Sequence, residues 1–184
     1  MFTSTRKNTS TSMTFQADSA ETGTQDESSF TRTFAEDPFR ARFSHRLPRG
    51  LRQEARGMDW KTFTATYAPT GGPLEIRNFA STRGRAGRSD FTAEITTARG
   101  TGSATTRVRE VSAMGPVSAA TNLLADSGYR VEIVEFHQLE IFEATVTFIY
   151  AAHNTTRVWT MGFGQTPEKS IISAMTGAAN RLHG

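Results

Sequence analysis

Two stretches of this chain follow one plan. Residues Val111 to Tyr129 read VSAMGPVSAATNLLADSGY, and Val158 to Leu182 read VWTMGFGQTPEKSIISAMTGAANRL. Each reads as a strand end, a Met-Gly turn and an apolar helix. Val111, Met114 and Gly115 match Val158, Met161 and Gly162 one for one. The duplication predicts a pseudo-symmetric domain, an arrangement suited to holding a small ligand between its halves.

The remaining periodicities complete the two units. Leu74 and Ile76 alternate with Glu75 and Arg77. Phe91, Ala93 and Ile95 alternate with Thr92, Glu94 and Thr96, the period-2 pattern of a half-buried strand. Ser103 to Ala113 reads as a third strand. Pro116 then suits a first helical turn, Val117, Ala120, Leu123 and Leu124 give an apolar face, and Gly128 closes the helix. In the second unit Val131 to Ile141 is one strand. Phe142, Ala144, Val146, Phe148 and Tyr150 mark the next, and Thr156 to Gly162 the third. Thr166-Pro167-Glu168 reads as N-cap, N1 and N2, and Ile171, Met175, Ala178 and Leu182 recur at helical spacing. The order is strand-strand-strand-helix, twice. Antiparallel strands with both helices on one face predict an α+β fold. The opposite sheet face then needs a cover. Phe91, Val146 and Phe148 are the candidates for it, which predicts a homodimer.

The first part of the chain differs. Hydrophobic residues are 36% of the 184, below the usual globular share, and the deficit lies at the N-terminus. Residues 1–33 are dominated by Ser and Thr, too polar to offset chain entropy by burial. Residues 1–56 are therefore expected to be a disordered tail, Ser/Thr-rich and then Arg-rich, although Phe34, Phe39, Phe43 and Leu47 leave room for a short helix or docking segment. Residues 57–73 read as a linker with a short helix, Asp59 being its N-cap and Trp60, Phe63 and Tyr67 its apolar face. The folded domain is expected over 74–184.

Chemistry is sparse. The absence of cysteine excludes disulfides, thiolate metal sites and a cysteine nucleophile, and fits a cytoplasmic protein. No apolar run approaches the ~20 residues of a membrane span, and no signal peptide is expected. His45, His137, His153 and His183 are isolated in sequence, so no metal, cofactor or catalytic group is expected. The net charge is +3 and arginine carries it. Arg40, Arg42, Arg46, Arg49, Arg52 and Arg56 form one cluster; Arg77, Arg83, Arg85, Arg88, Arg99, Arg107 and Arg109 form another. With no aromatic platform motif beside them, a solvated surface is favoured over a nucleic-acid site. Glu132, Glu135, Glu140 and Glu143 are read as solvated strand faces, with an alternative role in meeting Arg107 and Arg109 across a subunit contact.

Several motifs in series resemble a known domain. They are Met114-Gly115-Pro116-Val117-Ser118-Ala119, Gly128-Tyr129-Arg130-Val131 through Val134-Glu135-Phe136-His137, Trp159-Thr160-Met161-Gly162, and the final helix from Ser173 to Asn180-Arg181. Upstream, Phe63 to Leu74 and, more faintly, Leu47-Pro48-Arg49 are similar to the linker that precedes that domain. Leu74 to Leu182, about three-fifths of the chain, resembles the C-terminal regulatory (allosteric, dimerisation) domain of alpha-isopropylmalate synthase, an enzyme of leucine biosynthesis. The resemblance leaves out the catalytic barrel, so this chain is expected to be non-catalytic by itself. It implies a homodimer, a possible full-length synthase as partner, and a leucine-like ligand held by exposed helix N-terminal amides. Carried over position by position, the implied ligand residues are Gly115, Pro116, Val117, Ser118, Ile133, Phe136, Ala144 and Gly162. Ala113 and Thr160 replace glycines of the family pattern, and Ser118 replaces its acidic residue. Two other readings stay open: a basic module for nucleic acid or an acidic partner, and a relic whose ligand site has decayed.

Overall fold

The computed structural model describes residues 37–184. The tail expected to be disordered lies outside the described residues up to position 36. Among the described residues three short helices come first: α1 (Pro38–Phe43), α2 (Arg49–Glu54) and α3 (Trp60–Tyr67). Local chemistry starts two of them. One oxygen of Asp37 caps α1 by accepting from the Arg40 amide at 2.9 Å, and the other accepts from the Leu47 amide at 2.9 Å. The carboxylate therefore fixes α1 against the turn that follows it. Asp59 caps α3 by accepting from the Thr62 amide, which holds its carboxyl below the usual range.

This order corrects the expected disorder of residues 37–56. Apolar residues are few there, but they recur at helical spacing: Phe39 with Phe43, and Leu51 with Ala55. Their partners lie about a hundred residues away. Phe39, Leu51 and Phe63 are fully buried against Ile141, Val146, Phe148, Trp159 and Met161.

Two antiparallel sheets follow, as the alternation predicts. The first has the order β1 (Glu75–Arg83), β2 (Ser89–Thr97), β3 (Thr105–Ala113) and leads into α4 (Pro116–Asp126). The second has the order β4 (Glu132–Ile141), β5 (Ala144–His153), β6 (Thr156–Gly164) and leads into α5 (Pro167–His183). The architecture is α+β, built from two βββα units. The main core lies between the sheets and the two long helices; Ala93, Ile95, Leu123, Leu124, Ile149, Ile171, Met175 and Ala178 belong to it. The second sheet is covered on both faces, by α5 on one and by α1–α3 on the other.

Two expectations change here. Val146 and Phe148 do not form a face awaiting a partner subunit, because the N-terminal helices cover them within the chain. Phe91 is buried too, stacked on Phe79 beside Ala113 and Ala119. The repeat is real, but its alignment shifts. β3 and α4 map onto β6 and α5 at a constant spacing of 51 residues (105 to 156, 113 to 164, 116 to 167). Pairing Met114-Gly115 with Met161-Gly162 implies a spacing of 47. Gly115 is the N-cap of α4, whereas Met161 and Gly162 lie inside β6 and Thr166 caps α5. A shared Met-Gly pair is too short a signal to fix register.

Two consequences are measurable. Phe142 turns the β4–β5 hairpin at φ 50 with 91% of its surface exposed. A non-glycine residue in this left-handed region costs about 1–2 kcal/mol, and asparagine tolerates it better. Phe142→Asn should raise the melting temperature by a few degrees, read by thermal denaturation; an unchanged or lower value contradicts the strain.

Tyr67 is buried, with its hydroxyl 3.5 Å from Glu54 and the Arg181 guanidinium over its ring at 5.6 Å. Burial raises its pKa above the ordinary 10.0, and Glu54 adds to this while Arg181 opposes it. A raised folded-state pKa gives stability that is fully present below about 10 and is lost as pH climbs through the folded value. Tyr67→Phe should therefore flatten the alkaline limb of the stability profile, measured by urea unfolding across that range.

Candidate functional site

α5 crosses from its own sheet to the first strand of the other unit, and Asn180 joins them. Its Oδ1 accepts from the Leu74 amide and its Nδ2 donates to the Leu74 carbonyl, each at 2.9 Å. The side-chain amide thus imitates a neighbouring strand at the entry to β1. Next to this clamp, Arg181 donates to the Trp159 carbonyl. Burial lowers the pKa of its guanidinium, opposed by Tyr67 and then Glu54.

Beside the clamp runs a groove of about 460 Å³ between β1 and α5, lined also by residues 68–70. Its floor is apolar: Leu74 just before β1, Ile76 and Phe79 from β1, and Ile172 and Gly177 from α5. Its rim is cationic, with Arg77, Arg99 and Lys169. The one carboxylate of the lining, Glu75, is already engaged through both oxygens, by Arg77 at 2.9 Å and Arg99 at 3.5 Å. Asn78, at φ 50, sits in a bulge between Arg77 and Ala80, where the register of β1 against β2 shifts. A bulge re-aims side chains beside it.

One residue of the lining stands out. The Thr176 hydroxyl oxygen is buried and has no hydrogen-bond partner, the only side-chain atom of that kind among the described residues. Other helical threonines here bond back to a carbonyl one turn earlier, as Thr66 does to Thr62 and Thr121 to Val117. A buried hydroxyl without a partner is destabilising.

The eight residues implied by the resemblance do not converge. Gly115, Pro116, Val117 and Ser118 open α4, with Ser118 exposed. Ile133 and Phe136 lie on β4 opposite Ala151 and Ile149. Val117 and Ile133 pack against the same core, which brings these two elements together. Gly162 lies under α5, pairing with Thr147, whose hydroxyl meets Ser170 of that helix. Ala144 belongs to the cluster on the opposite face of the second sheet.

The repeat gives this result a simple form. The strand starts at 75 and 132 align Ile76 with Ile133 and Phe79 with Phe136, and the 51-residue spacing aligns Ser118 with Lys169. The groove thus uses the first unit's strand and the second unit's helix, and the resemblance selects the same repeat positions in the opposite halves. Arg77, Arg99, Thr176 and Asn180 were not legible as one set, because α5 meets β1 only in the folded chain. The Asn-Arg ending of the final helix was the one sequence signal that touched this region.

Elsewhere, His153 and His183 have ring centroids 4.3 Å apart, which corrects their expected isolation. No group of three potential metal ligands occurs among the described residues. Arg107 and Arg109 pair with Ile95 and Ala93 and line a second groove of about 280 Å³ with Asp126 and Ser127. Arg42 lies 5.2 Å over the Trp60 ring. No helix among the described residues is long and apolar enough to cross a membrane. The chain matches no protein-family model, and no curated protein matches it.

Proposed function

We propose that this chain is a non-catalytic regulatory and dimerisation module related to the alpha-isopropylmalate synthase regulatory domain. It binds leucine or a related small molecule, or pairs with a full-length synthase, in the cytoplasm. The observation that supports this reading is the duplicated βββα unit with an amphipathic groove where its halves meet. Such a groove buries an aliphatic body and pairs a carboxylate, the two parts of a small organic acid.

Calorimetry and thermal shift against leucine, isoleucine, valine and their 2-oxo acids test it. A ligand at ten times its Kd stabilises the fold by about 1.4 kcal/mol. A shift with one of them is expected; silence with all of them removes the small-molecule role and leaves synthase pairing, read by pull-down. A strict monomer at micromolar concentration in sedimentation removes the dimerisation role. The rival basic module predicts steeply salt-dependent binding of generic DNA or RNA.

A further inference from the structure

We infer that the groove between β1 and α5 binds a short aliphatic 2-oxo acid in preference to the amino acid of the same skeleton. The inference rests on the small-molecule reading above and narrows it to one site and one ligand class. Three observations converge on it.

The floor made by Leu74, Ile76, Phe79 and Ile172 suits a branched hydrocarbon chain. Three cations, Arg77, Arg99 and Lys169, stand against one carboxylate in the lining, so the ligand is an anion. That carboxylate, Glu75, already holds a guanidinium on each oxygen. A ligand ammonium therefore finds no free anionic partner and faces three like charges. The site thus has no place for an extra cation, which distinguishes an oxo acid from an amino acid.

The experiment is isothermal titration of the whole chain with 4-methyl-2-oxopentanoate and with leucine, repeated on Arg99→Gln. The oxo acid should bind at least about tenfold more tightly than leucine, the usual scale for a charge left unpaired. Arg99→Gln should weaken the oxo acid about tenfold or more and narrow its margin over leucine, because it removes a cation and frees one oxygen of Glu75. The melting temperature of the free chain should stay nearly unchanged, because the Arg99 side chain is exposed, and this separates lost binding from lost folding.

Leucine binding as tightly as the oxo acid, or oxo-acid binding unchanged by Arg99→Gln, overturns this inference and leaves the proposed function standing on another site. Binding of neither compound at millimolar concentration overturns both the inference and the small-molecule reading.

Discussion

Gly162→Ala should remove a large share of the stability of this protein, whereas Gly115→Ala should cost little. Both glycines follow a methionine and looked equivalent in sequence. In the fold, a Cβ on Gly162 falls 2.2 Å from the Ala174 nitrogen and 2.5 Å from the Ser170 oxygen. These are backbone atoms of α5, which lies directly on β6 at this point, and a helix backbone does not yield as a side chain does. Gly164, two residues on, is equally close to Ser170. Relief requires moving α5 off the sheet, with Ile171, Met175 and Ala178 still needing burial. Overpacking typically costs about 1–3 kcal/mol and occasionally more, a large share of ordinary domain stability. A Cβ on Gly115 meets nothing within 4 Å, and its backbone is extended at φ -175. Replacing glycine by alanine at an N-cap costs at most about 1 kcal/mol. Urea unfolding of both variants provides the comparison, and similar midpoints contradict the packing of α5 on β6.

The second large effect comes from the N-terminal helices. A chain beginning at residue 68 should lose its native packing, because it uncovers Ile141, Val146, Phe148, Trp159 and Met161 together. Burying a large apolar side chain contributes roughly 1.5–3 kcal/mol, and Phe39, Leu51 and Phe63 are fully buried on that face. The sequence has two tryptophans, and Trp159 is the one that remains in the shortened chain. Its emission should shift to the red, with binding of a hydrophobic dye and a tendency to aggregate. A soluble shortened chain with unshifted Trp159 emission contradicts the role given to α1–α3.

Much of the fold was legible because period-2 alternation and helical spacing are local properties. Phe91, Ala93 and Ile95 announce a half-buried strand wherever they occur, and Ile171, Met175 and Ala178 announce a buried helical face. The proline at each helix start is local as well, and α4 and α5 do begin at Pro116 and Pro167. The α1–α2 segment was not legible. Its few apolar residues stand among six arginines, and composition averages away the spacing that matters. Its stability comes from Phe148 and Trp159, far along the chain.

The groove marks the same division. Sequence by itself determined the two βββα units, their order and the apolar faces, since each depends on neighbours a few residues apart. Tertiary structure alone decided that Asn180 would close on Leu74 and that Glu75 would be held by two arginines. It also decided that the Thr176 hydroxyl would be buried without a partner. The clamp joins residues 106 positions apart. Such contacts follow from how α5 lies across the two units, a geometry set by the collective packing of the core.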